Sequence, residues 1–238
     1  MIIPEPRGTG TVAAGTGPVE PGLPVGTAEG DLLLMFGQTV AGSAALAATG
    51  WELFEVAEGL SAPCLTILSR VATGADPHLT NDSGDHQLVR ILGIKAKTYT
   101  LPMNPGMANT QTVPTKTIEI EGTGGAAPLE SLAVIATVGS APDATGTGEF
   151  SGYSNASLTA ITEQIDNTTA AGLGGSLGVA TGLTTEAEVG LTTALAVTLA
   201  QRASLIFFIP AAEKEKEKPV EGGVQHFPLS HCYPMRVP

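Results

Sequence analysis

The chain has 238 residues and a net charge of −12, with hydrophobic residues at 42% and aromatic residues at only 4%. That acidic balance argues against nucleic-acid binding, because displacing phosphate counterions takes Lys and Arg, and against docking to anionic membranes. The two cysteines, Cys64 and Cys232, make neither a disulfide framework nor a zinc spacing.

Residues 1–29 read as an extended arm or a first edge strand. Thr9 to Ala14 is able to pair, while prolines at 4, 6, 18, 21 and 24 oppose a helix and limit ladder bonds. The segment Met1 to Arg7 has neither a basic n-region nor an apolar h-region, so no signal peptide is expected. No stretch reaches the roughly 18 apolar residues of a membrane span.

Gly30-Asp31-Leu32-Leu33-Leu34-Met35-Phe36-Gly37 is the stretch around which the chain is organised. Five apolar residues without a polar face, bounded by turn formers, favour a strand buried on both sides over the alternative, a short buried helix segment. Trp51 to Val56 alternates with period two and reads as the next strand. Trp51 is the only tryptophan; its bland reading is a core or sheet-edge anchor, its sharp one a sugar-stacking platform.

Further strands are predicted over Pro63–Ala72, Gly84–Ile94, Thr115–Ile120, Leu132–Val138, the segment entered from Gly172–Gly178, Thr192–Leu199 and Ala203–Ile209, the last two split around Gln201-Arg202; Leu158–Ile165 fits helix or strand by pattern, and its Thr content and Gly-rich neighbours favour strand. The 30 Gly and 17 Pro agree with short strands and frequent turns. The expected fold is all-β: a β-sandwich of jelly-roll type over 30–212, with extended N- and C-terminal arms.

Residues 213–218 alternate Glu and Lys, which cannot be buried and marks a boundary. Beyond it, 219–238 has four prolines and cannot build a core alone. Within it Phe227, Leu229, Tyr233, Met235 and Val237 recur about every second residue, the period of an extended chain with one apolar side. These five are the candidate partner-binding residues of a C-terminal arm spanning 213–238.

Chemistry is sparse. Asp82, Asp85 and His86 cluster in one turn and are a candidate metal or acid-base group, against the plain reading of a solvated Asp-rich turn. Gly172-Leu173-Gly174-Gly175-Ser176-Leu177-Gly178 lacks the Lys of a phosphate loop and reads as a hairpin with tight turns. No Gly-x-Ser-x-Gly elbow frames a serine. No catalytic residue, cofactor or metal is expected.

An ordered series of stretches resembles a family of structural proteins of tailed bacteriophages and their prophages. It runs from Pro21-Gly22-Leu23-Pro24 into Gly30-Asp31-Leu32-Leu33-Leu34-Met35-Phe36, then Gly50-Trp51. Ile67-Leu68-Ser69-Arg70-Val71-Ala72-Thr73-Gly74 and Ser83-Gly84-Asp85-His86-Gln87-Leu88-Val89-Arg90-Ile91 follow. Phe150-Ser151-Gly152-Tyr153 and Gly174-Gly175-Ser176-Leu177-Gly178-Val179-Ala180-Thr181-Gly182 close it, so the resemblance covers about residues 8–210. It implies a non-enzymatic virion protein assembled in the host bacterial cytoplasm, oligomeric, with the major capsid protein or other virion proteins as partners. A head decoration or cement protein is the favoured reading. A tail-tip or fibre module that binds a host glycan, through Trp51 and Tyr153, is the alternative.

Overall fold

The computed structural model describes residues 1–40, 45–59, 62–74, 85–104, 108–121, 129–140 and 148–214. Twelve strands make up the described residues: β1 (Pro6–Thr9), β2 (Ala13–Gly15), β3 (Leu32–Thr39), β4 (Glu52–Gly59), β5 (Ala62–Val71), β6 (Gln87–Ile94), β7 (Ala108–Ile120), β8 (Leu132–Gly139), β9 (Phe150–Ser154), β10 (Leu158–Thr169), β11 (Gly175–Thr184) and β12 (Thr192–Ile209). They form two antiparallel six-stranded sheets. The first has the order β1-β6-β3-β5-β4, with β2 also on β6; the second has the order β10-β11-β8-β12-β7, with β9 on β12.

Each sheet is therefore drawn from one half of the chain. In a jelly roll successive strands cross between the sheets, so the jelly-roll connectivity expected from the sequence is not the one found. The reason is local: β4–β5 and β10–β11 close as hairpins within a sheet.

The two halves repeat one plan. Read from the other end, the second sheet is β7-β12-β8-β11-β10, which matches β1-β6-β3-β5-β4 strand for strand. The registers match as well. Leu32 pairs with Val71 and Ile94, and Thr39 with Cys64 and Gln87. In the second sheet Leu132 pairs with Leu183 and Ile209, and Gly139 with Ser176 and Arg202. Across the sandwich β4 packs against β7, and β1 against β10. Exchanging the halves maps one of these contacts onto the other, a pseudo-two-fold relation.

Strand alternation explains why β3 carries no polar face. Leu32, Leu34 and Phe36 point between the sheets and meet Leu132, Val134, Ala136, Leu177, Val179, Leu205 and Phe207. Leu33 and Met35 point outward, where Trp51, Leu46 and Val19 cover them. Both faces are dry, and each fully buried Leu contributes about 1.5–3 kcal/mol.

Of the two readings of residues 1–29, an extended arm or a first edge strand, the edge strand is found. β1 and β2 hydrogen-bond to β6, and Ile2 bridges to Ala212. Asp31, fully buried, accepts hydrogen bonds from the N–H groups of Ala28 and Ala96, each at 2.8 Å, and from Arg7 Nη2 at 2.9 Å. Burial pushes its carboxyl up, but these donors outweigh it and the pKa lies below the usual carboxylate range. Gln201-Arg202 does not split the last strand, because β12 runs unbroken through it. The Gly-aromatic stretch Gly148 to Tyr153, whose composition reads as a loop, instead enters β9 at Phe150.

Candidate functional site

The two polar stretches singled out in the sequence meet at one end of the sandwich. His86 lies just before β6 and faces the same way as Gln38 near the end of β3. Its Nδ1 is 2.7 Å from Asp85 Oδ2, and its Nε2 is 3.1 Å from Gln38 Oε1. Gln38 in turn donates through Nε2 to Thr39 O at 3.0 Å. From the opposite sheet, the Leu173 N–H donates to Asp85 Oδ2 at 2.6 Å.

This contact explains the glycines of the β10–β11 turn. Gly172 has φ of 56°, and a Cβ there would come within 2.2 Å of Asp85 Oδ2; one on Gly175 would come within 2.1 Å of Gln38 Oε1. The hydrogen bond from His86 and that from Leu173 N–H lower the Asp85 pKa, against a smaller opposing effect of burial. His86 is 1% exposed and both its ring nitrogens are engaged. The arrangement is a clamp between the sheets, with no nucleophile facing the imidazole among these contacts. Asp82 lies outside the described residues. Among those described, no group of three His, Cys, Asp or Glu side chains is placed to hold a metal.

A second polar cluster, on the outer face of the second sheet, was not found from the sequence. Arg202 is fully buried and pairs with Glu149 at 2.9 Å. It also donates to Thr198 O at 2.7 Å and to Ser176 Oγ at 3.2 Å, and its guanidinium lies 5.3 Å from the Phe150 ring centroid. Gly139 makes the room, since a Cβ there would fall 1.8 Å from Arg202 Nη1. Nearby, Asp166 accepts from the N–H groups of Gly148, Glu149 and Phe150. Burial, with the Glu149 charge beside it, raises its pKa against the lowering by the three amides. Burial likewise lowers the Arg202 pKa, opposed by Glu149, and raises that of the Tyr153 phenol. An arginine entering the apolar run 203–209 was the available signal; its partner, 53 residues away, was not.

Trp51 is 9% exposed and belongs to the layer over β3, while Tyr153 is half-buried beside Phe150. The pair gives no exposed sugar platform. What faces solvent is an apolar row on the first half of β12: Leu195, Val197 and Leu199, at 54%, 61% and 64% exposure. The neighbouring strands present Thr117 of β7 and Ser151 of β9 beside Leu195. The arm residues Phe227, Leu229, Tyr233, Met235 and Val237, with Cys232, lie outside the described residues. Cys64 is a buried free thiol. Among the described residues no helix is long and apolar enough to cross a membrane. Comparison with protein-family models, curated proteins and solved structures finds no match.

Proposed function

We propose that this protein is a non-enzymatic structural component of a tailed-phage virion, a head decoration protein that grips the capsid shell. The observation that carries the reading is the exposed row Leu195, Val197 and Leu199. Three apolar side chains alternating on one face of a strand, with uncharged Thr117 and Ser151 beside Leu195, suit burial against another protein. The polar groups that offered chemistry, Asp85 and His86, are instead committed to holding the two sheets together. The major capsid protein and further copies of this chain are the partners, and assembly takes place in the bacterial cytoplasm.

The test is occupancy on purified phage heads. Val197→Asp puts a charge in the centre of an exposed row, so the protein should fold with an unchanged melting temperature. It should load onto heads about tenfold less, the effect of losing about 1.4 kcal/mol. Wild-type loading of Val197→Asp, or recovery of the protein from tails and not from heads, overturns the reading.

A further inference from the structure

The exposed row Leu195, Val197 and Leu199 lies where β12 loses its regular pairing. Leu195 pairs with Thr117 of β7 and Ala200 with Thr115, so residues 196–199 of β12 stand against Lys116 alone. Between Ala200 and Arg202 the excess is reversed, and Gln201 stands against residues 112–114. β9 accompanies β12 only from Thr193 to Ala196, and β8 only from Arg202 onward. Adjacent irregularities of opposite sense turn a strand through a corner. Ala194 and Ala196 thereby share one buried cluster with Ile206 and Phe208, which lie beyond the corner.

A corner takes backbone groups away from their ladder partners. Here one residue pair receives them. Val197 N–H donates to Glu149 O at 2.9 Å. Thr198 N–H donates to Glu149 Oε1 at 3.3 Å, and Thr198 Oγ1 donates to the same oxygen. Arg202 Nη2 donates to Thr198 O at 2.7 Å and to Glu149 Oε1 at 2.9 Å. A ring of hydrogen bonds therefore closes on Thr198, the residue between Val197 and Leu199. Glu149 is itself anchored, its N–H donating to Asp166 Oδ1 at 3.1 Å.

Folding alone does not call for this pair. Apolar residues of similar volume often serve a buried position as well as two charges do, or better. What the pair supplies is direction. A guanidinium fork and a carboxylate fix several bonds at set angles, which an apolar contact does not.

We infer that Glu149 and Arg202 are positioning residues for the exposed row, an inference that rests on the docking role proposed above. They brace the corner in one shape and so fix the spacing and direction of Leu195, Val197 and Leu199. A row fixed before contact loses less conformational freedom on binding. That is how a pair with both side chains buried acts on the surface above it.

Two readouts on the full-length protein test this. The first is amide exchange at Thr198, with Ile206–Ile209, paired to β8, as the reference for an intact sheet. The second is loading onto purified heads. Glu149→Leu combined with Arg202→Met removes both charges, so no unpaired one stays buried. Its Thr198 amide should exchange about tenfold faster, the effect of one lost hydrogen bond to a charged group, while Ile206–Ile209 stay protected. Its head loading should fall about tenfold, as the order of the row is lost. Arg202→Lys keeps a charge beside Glu149 without the fork, and should change both readouts in the same direction. If the double variant loses protection at Ile206–Ile209, Arg202→Lys decides by the same criteria. Unchanged Thr198 exchange overturns the brace, whatever the heads show. Faster exchange with wild-type head loading, where Val197→Asp does fail to load, overturns its part in docking. Wild-type loading of Val197→Asp refutes the docking row itself, and together with faster exchange leaves the brace standing.

Discussion

The two sheets share strand order and register, yet their equivalent positions carry different chemistry. Gln87 and Arg202 both pair with the last residue of the central strand, and both are fully buried. Gln87 satisfies itself by donating to Gly17 O at 2.6 Å. Arg202 needs a carboxylate, a serine hydroxyl, a carbonyl and a glycine opposite to fit. On the inner face Leu32, Leu65 and Ile94 are matched by Leu132, Leu177 and Ile209, while Gln38 and Arg90 stand where Val138 and Leu205 do. The inner layer must fill one shared space from both sides. The outer faces are covered independently, by the segments around Trp51 and Leu46 in one half and by β9 in the other, and so they diverged.

The sharpest test of this contrast is at the equivalent polar pair. Glu149→Ala leaves the Arg202 charge buried without its partner and should cost about 3–5 kcal/mol. Gln87→Ala removes a neutral hydrogen bond and should cost about 1–3 kcal/mol. Denaturant unfolding measures both. Equal losses would mean that the buried ion pair is no more demanding than the amide, and the contrast between the outer faces would fail.

The inner layer gives the opposite expectation. Leu32→Ala and Leu132→Ala each open a cavity at the same place in the repeat and should each cost about 2–5 kcal/mol. The two values should agree within about 1 kcal/mol, allowing for the usual scatter between contexts. A larger gap would show that the halves share backbone registers without sharing a symmetric core.

The smallest effect is in pH dependence, and its sign differs between the halves. The Asp85 pKa is lowered in the folded state, so its contribution is present above the unfolded value of about 3.9 and is lost as pH falls through the folded value. Asp166 is raised, so its contribution is full below the unfolded value and is lost as pH rises through the folded one. Asp85→Asn should therefore flatten the acid limb of a stability–pH profile, and Asp166→Asn should reduce the fall of stability with rising pH above about 4. Profiles shifted in the same direction by both substitutions would contradict the opposite environments.

The sequence by itself determined the all-β class, the buried central strand over Leu32–Phe36, the strand reading of Leu158–Ile165 and the tight turn at Gly172–Gly175. Those features follow from residue periodicity and turn chemistry, which act over a few positions. Only the tertiary structure decided the rest. It chose the edge strand over the arm for the N-terminal residues, gathered each sheet from one half of the chain, and closed Asp85 on Leu173 and Glu149 on Arg202. The repeat itself is nearly invisible in the letters. Over the 24 positions equivalent between β3, β5, β6 and β8, β11, β12, only Leu32/Leu132, Leu65/Leu177, Ile91/Ile206 and Ile94/Ile209 are identical. An apolar strand needs only the right pattern and volume to pack, so many sequences satisfy the same register. The partner of a buried charge is set by where the chain returns in space, and that return leaves no mark in local spacing.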